Sequence, residues 1–157
     1  MNGLHPRRDA GFALTEVLVA AALLAVGLLG HAALLVSALQ TERDAAYRAT
    51  AATLTASMAE RIRANSSAGA AYALDPEMAS SLPSPPCELS TPIDAATRAA
   101  CDLAEWQADV TNALPGADAS LVATSVAGTD ALLYTLSIHW TAAGPGNRGT
   151  FTLRVQT

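Results

Sequence analysis

The sequence predicts an α+β chain: one long N-terminal helix, half membrane stalk and half amphipathic scaffold, packed on a small antiparallel sheet of three or more strands. One short helix and a disulfide-containing loop complete it. Three observations lead there. Residues 12–39 are almost unbrokenly apolar, residues 41–65 keep helical periodicity without proline or glycine, and the C-terminal part alternates apolar and polar side chains with period two.

The 28 residues from Phe12 to Leu39 contain only Thr15, Glu16, His31 and Ser37 as polar members. A bilayer-spanning helix needs roughly 20 apolar residues, so this segment can span. At ~1.5 Å per residue it reaches ~42 Å, longer than a hydrocarbon core of ~30 Å, and its C-terminal end should project beyond the membrane. Arg7 and Arg8 precede it with only Asp9 beside them, and the chain has no lysine. That basic flank places residues 1–11 in the cytoplasm and everything after about residue 40 outside.

Glu16 is the anomaly of the run, because a central acidic residue costs about 2.5–3.5 kcal/mol on insertion scales and needs a partner. A cut after Gly11 would create one. The new ammonium on Phe12 would lie four residues before Glu16, one helical turn away on the same face. The same molecule or an adjacent one could supply it, and an intermolecular pair in an apolar setting would set the axial register of packed helices. Two other readings of the run are an ordinary secretory signal cut after Val36-Ser37-Ala38 and an uncleaved anchor. A secretory h-region is roughly 7–15 residues long and does not normally carry an acid near its start. The first residue of the membrane form separates the three as Phe12, Leu39 or Met1.

Gly11-Phe12 followed by Thr15-Glu16 and a long apolar helix resembles the class III signal of type IV prepilins. The resemblance implies cleavage between Gly11 and Phe12 by the membrane prepilin peptidase, N-methylation of Phe12 and a filament-assembly role for Glu16. Gly27 and Gly30 each cost about 1 kcal/mol of helix propensity and mark the softest point of the run. Local unwinding during filament packing and close contact between small residues are both open readings. Many major pilins resemble this design but carry a proline about a turn further on, where this chain has Ala32 and Ala33.

Removing the leader takes two of the nine basic and one of the fourteen acidic side chains, leaving a formal charge of −6. Seven scattered arginines form no basic stripe of the kind phosphate binding needs, so no nucleic-acid partner is expected. About 115 residues remain outside the membrane, enough for one small domain. On the prepilin reading Cys87 and Cys101 lie in an oxidising envelope compartment, where a disulfide is expected. Closing a loop of ~15 residues is worth about 3 kcal/mol on the chain-entropy model, useful where Pro83, Pro85, Pro86 and Pro92 mark an irregular segment. Only His31 and His139 remain as imidazole ligands, and Glu88, Asp94 and Asp102 around the cysteines read as a solvated acidic surface. No metal or cofactor is expected.

From Thr41 to Asn65, Tyr47, Ala51, Leu54, Met58 and Ile62 recur at helical spacing, with Glu42, Arg43, Asp44, Arg48, Glu60, Arg61 and Arg63 on the polar face. The basic residues gathered in the last turns complement the helix dipole. Asn65-Ser66-Ser67-Ala68-Gly69 reads as the stop. Residues 70–100 read as loop, with at most a turn of helix or strand at Tyr72 and Leu74. Asp102-Leu-Ala-Glu105 reads as an acid-capped helix start, continued by Trp106, Val110 and Leu114 and ended by Pro115-Gly116. Trp106 is expected to be a core anchor.

Tyr134, Leu136, Ile138 and Trp140 then alternate with Thr135, Ser137 and His139, and Phe151, Leu153 and Val155 repeat the pattern across a turn-rich connection, which predicts an antiparallel hairpin. Leu121 to Val126 supplies a third strand. The sheet should bury Tyr47, Leu54, Met58 and Ile62 against Trp140 and its neighbours. Ser137 and His139 share a strand face without a spaced acid, and no glycine-rich phosphate cradle is present, so no enzyme activity is expected.

Met58-Ala-Glu-Arg-Ile-Arg-Ala-Asn65, Asp102-Leu-Ala-Glu-Trp-Gln107, Leu114-Pro-Gly116 and Tyr134-Thr-Leu-Ser-Ile-His-Trp140 are similar to the PilV type of minor pilin. The likeness covers nearly the whole chain. It implies a low-abundance type IV pilus subunit that joins other minor pilins and the major pilin, primes assembly and supports a large tip adhesin. It also implies inner-membrane insertion with the globular part in the periplasm. The domain reading is leader 1–11, assembly half-helix 12–39, amphipathic half-helix 40–66 and globular domain 67–157. The I-type minor pseudopilin of type II secretion is similar in stalk and tip-complex role but typically shorter, and a membrane-anchored binding domain that never polymerises is the third reading.

Overall fold

The computed structural model describes residues 14–75, 81–84, 87, 93–142 and 146–157. Its elements are α1 (Leu14–Ala64), a 3-10 helix (Ser66–Tyr72), α2 (Ala95–Ala113), β1 (Asp118–Ser125), β2 (Leu132–Thr141) and β3 (Arg148–Gln156). The three strands form one antiparallel sheet in the order β1-β2-β3. A long N-terminal helix, a three-stranded sheet, a further helix and a disulfide make the expected type IV pilin-like α+β fold. The chain divides into two compact units, one ending at Leu39 and the other running Gln40–Thr157, with α1 contributing to both.

In the second unit the core follows the sequence periods. Tyr134, Leu136, Ile138 and Trp140 are all buried on one face of β2, and Ala51, Met58, Ala59 and Ile62 bring the second half of α1 into the same core. Tyr47 and Leu54 pack partly buried against it, as do Phe151 and Leu153 from β3. Each large apolar side chain so buried contributes about 1.5–3 kcal/mol. Trp106 is the anchor expected of it: it is 2% exposed, and its indole N–H donates to the Leu54 carbonyl at 3.1 Å, which joins α2 to α1. On the opposite face of the sheet, Ser137 shares a hydrogen bond with Thr152 at 3.2 Å and His139 one with Thr150 at 3.0 Å.

Two readings of residues 66–105 need correction. The chain after α1 is not all loop: Ser66–Tyr72 is a 3-10 helix, kinked at Gly69 with φ +51°, a conformation that suits glycine. Leu74 then makes a single antiparallel bridge to Leu121 at the sheet edge. The helix read from Asp102 begins seven residues earlier, at Ala95, where Asp94 is the N-cap. The Asp94 carboxylate accepts from the Thr97 hydroxyl at 2.6 Å and from the Thr97 amide at 2.9 Å, and these bonds, the hydroxyl's first, hold it below the ordinary carboxylate range. Pro85, Pro86, Glu88 and Pro92 lie outside the described residues.

Asp102 and Glu105 are therefore mid-helix, and their spacing of three puts both carboxylates on one face of α2. Arg61, from the last turn of α1, donates to Glu105 at 2.8 Å and reaches Asp102 at 3.4 Å. The other Asp102 oxygen accepts from the Tyr72 hydroxyl at 2.6 Å, and Asn65 donates to the Tyr72 oxygen at 3.1 Å and to the Ala95 carbonyl at 2.9 Å. Asp102, 19% exposed at its side chain, is a strut between α1, the 3-10 helix and α2, not part of a solvated acidic surface. Arg61 thus serves Asp102 and Glu105 as well as the helix end, while Arg63 pairs with Glu60 on the exposed side.

Burial and then the hydrogen bond to Asp102 push the Tyr72 hydroxyl from 10.0 up to about 12. The folded state therefore holds the neutral phenol past the pH at which the unfolded chain releases its proton. The resulting stability is fully present below about pH 10 and is lost as pH rises through about 12. It amounts to on the order of 2 kcal/mol. Tyr72→Phe is expected to lower stability at neutral pH by loss of the hydrogen bond, and to flatten the fall of melting temperature between pH 10 and 12. Parallel alkaline melting curves for the two proteins would exclude Tyr72 as the source.

Candidate assembly site

The first unit is the half of α1 that ends at Leu39. Its 18-residue apolar window has a mean hydropathy of 2.3 and no buried residue. Among the described residues, every exposed large hydrophobic except Val122 belongs to this half-helix. An uncovered apolar surface of that extent is what lipid or neighbouring helices must cover, since burial is worth roughly 25 cal/mol per Å².

Glu16 sits in the first turn of α1, fully outside the core, where the helix dipole favours an acid. Gly11 and Phe12, the expected cleavage pair and methylation site, lie outside the described residues. Gly27 and Gly30 are helical, and a Cβ at either would meet nothing within 4 Å. Among the described residues nothing therefore demands glycine at these positions.

In the sequence His31 stands out only as one of two imidazoles left outside the leader. The structure adds a contact: its Nδ1 lies 3.0 Å from the Gly27 carbonyl, one turn back. A carbonyl oxygen only accepts, so Nδ1 carries the proton in this bond. The spacing of four between Gly27 and His31 was the available signal.

Away from this unit, Cys87 and Cys101 are joined in a disulfide with Cα atoms 5.7 Å apart, tying residue 87 to the buried side of α2. Among the described residues no group of three or more histidine, cysteine, aspartate and glutamate side chains gathers where a metal could be held. The Ser137 and His139 pair has its hydrogen bonds to Thr152 and Thr150 of β3.

The fold and the uncovered apolar half-helix define a class: a chain with the type IV pilin-like α+β fold whose N-terminal helix is suited to membrane anchoring. Comparison narrows it. The family model for the prokaryotic N-terminal methylation motif matches residues 6–30, a segment that contains Gly11, Phe12, Glu16, Gly27 and Gly30. No curated protein and no solved structure matches the chain. The motif supports a type IV pilin-like or pseudopilin protein, a structural subunit processed by prepilin peptidase and associated with the membrane and with pilus-type components.

Proposed function

We propose that this chain is a minor pilin of the type IV pilus. Prepilin peptidase removes residues 1–11, Phe12 becomes the N-methylated first residue, and residues 12–39 hold the subunit in the inner membrane until it enters the filament. Residues 40–66 carry the domain 67–157 on the periplasmic side. There the subunit joins other minor pilins in the complex that primes assembly, contacts the major pilin, and supports a large adhesin at the tip. The role is structural, without catalysis.

The observation that carries this reading is the overlap of the methylation motif, residues 6–30, with an uncovered apolar half-helix that has one acid in its first turn. The amine freed at Phe12, four residues before Glu16 in sequence, neutralises it where water is excluded.

Glu16→Ala is expected to leave membrane insertion and cleavage intact while lowering recovery in sheared filaments at least about tenfold, since an unneutralised ammonium in an apolar bundle is costly. Quantitative blotting of the filament and membrane fractions measures it. Equal recovery of both proteins would remove the assembly role of Glu16. Recovery with type II secretion components in place of pilus components, after mild crosslinking, would turn the reading to a pseudopilin.

A further inference from the structure

Both tryptophans of the chain are 2% exposed. Trp106 gives its indole N–H to the Leu54 carbonyl at 3.1 Å, whereas the buried Trp140 Nε1–H has no acceptor among the described residues. Buried donors are nearly always bonded, so this one calls for an acceptor. Trp140 lines a cavity of about 260 Å³ together with Gly149, Asp44, Arg48 and Arg148. The edge of the indole that carries Nε1 is the edge lying over Gly149: a Cβ on that glycine would meet Cε2, Cζ2 and Nε1. The unbonded donor therefore belongs to the wall that Trp140 and Gly149 share, and glycine at 149 is what admits it there.

The charged part of the lining comes from two elements. Asp44 and Arg48 stand one helical turn apart on the second half of α1, and Arg148 opens β3, next to the Gly149 that faces Trp140. Two guanidiniums against one carboxylate leave a net single positive charge, and both arginines are solvent-exposed. Each guanidinium has five N–H donors, more than Asp44 can use. The matching ligand is a monoanion that brings acceptor oxygens. A carboxylate fits, because its two oxygens take a guanidinium fork and keep a lone pair for the indole N–H. A phosphate dianion would overshoot the charge of the lining, and a cation would face two guanidiniums and an N–H donor.

We propose that this cavity is a binding site for a carboxylate, held by Arg48 and Arg148 and accepting the Trp140 Nε1–H. The carboxylate arrives on a small free acid or on an acidic side chain of another protein, and the recognition chemistry is the same for both. The site lies wholly within the Gln40–Thr157 unit and would stand if the pilin reading failed.

The test uses the full chain, isotope-labelled for NMR and held in an uncharged detergent. It follows the two indole N–H signals while sodium acetate replaces sodium chloride at constant ionic strength, which holds screening fixed. Trp140→Phe assigns the Trp140 signal by removing it. Acetate is expected to move that signal along a saturating curve and to leave the Trp106 signal, bonded inside the core, in place. Arg48→Gln and Arg148→Gln are each expected to weaken the apparent affinity at least about tenfold, the scale of one hydrogen bond between charged groups. An unmoved Trp106 signal in both variants shows that the core is intact. A blocked tripeptide with a single aspartate separates the sources. Binding tighter than acetate assigns the site to an acidic side chain of a protein, and binding weaker than acetate assigns it to a small free acid. Inorganic phosphate binding more tightly than either, a Trp140 signal that moves linearly or not at all, or saturation indifferent to both arginine substitutions would each overturn the carboxylate site.

Discussion

Gly11→Asp is expected to leave the membrane form of this chain at full length, beginning at Met1, with essentially none recovered in filaments. On the proposed reading glycine before the cut lets a protease approach the backbone closely, and a larger side chain hinders that approach. A carboxylate adds a charge at the edge of the membrane, beside the bond to be broken. The larger consequence follows from chemistry withheld. On the proposed reading, without cleavage no amine is freed at Phe12, Glu16 lacks its cation, and the leader with Arg7 and Arg8 stays attached to the apolar segment. Intact mass of the membrane-extracted protein measures the outcome. A Gly11→Asp chain cut before Phe12 would show that the position does not govern processing, and a wild-type chain starting anywhere but Phe12 would remove the prepilin reading altogether.

Gly149→Ala is expected to be the most damaging single methyl in the globular unit. Gly149 faces Trp140 across β2 and β3, and a Cβ there would overlap the indole at Cε2, Cζ2 and Nε1. The indole has little freedom to give way: Trp140 is 2% exposed in the core beside Tyr134, Leu136 and Ile138. Overpacking of this kind costs about 1–3 kcal/mol and occasionally more, and the loss should lie at the upper end. The expected fall in melting temperature is roughly 10 °C. Trp140→Phe should rescue much of it, because the smaller ring vacates the volume the new methyl needs. The rescue forfeits no hydrogen bond among the described residues, where the buried Trp140 Nε1–H has no partner. Unchanged melting of Gly149→Ala would mean that the strands can part at this pair.

Much of the fold was legible because it rests on local periodicity. Tyr134, Leu136, Ile138 and Trp140 announced one buried strand face, and the spacing of Tyr47, Ala51, Leu54, Met58 and Ile62 announced one helical face. The start of α2 was not legible, since Asp102 and Glu105 stand at the spacing of a capping box. Their partner, Arg61, is 41 and 44 residues away. The true cap, Asp94, has threonine in place of glutamate or glutamine at its third position, so its signal was the weaker of the two.

Gly11, Phe12 and Glu16 stand out in the sequence as candidates because the chemistry proposed for them depends only on order along one chain: a peptide bond, the amine its cleavage would free, and an acid four residues on. The contact of His31 with Gly27 shows in the sequence only as a spacing of four, and it has meaning once the segment is helical and the ring has a direction. The same division runs through the whole protein. Sequence by itself determined where the chain is apolar, which faces its helix and strands bury, and where an acid sits in a lipid-soluble run, since composition and period are properties of neighbours along the chain. Only the tertiary structure decided that two carboxylates grip Arg61 and Tyr72, and that a glycine leaves room for a tryptophan. Those contacts join residues far apart in sequence, and only folding brings them within a few ångströms.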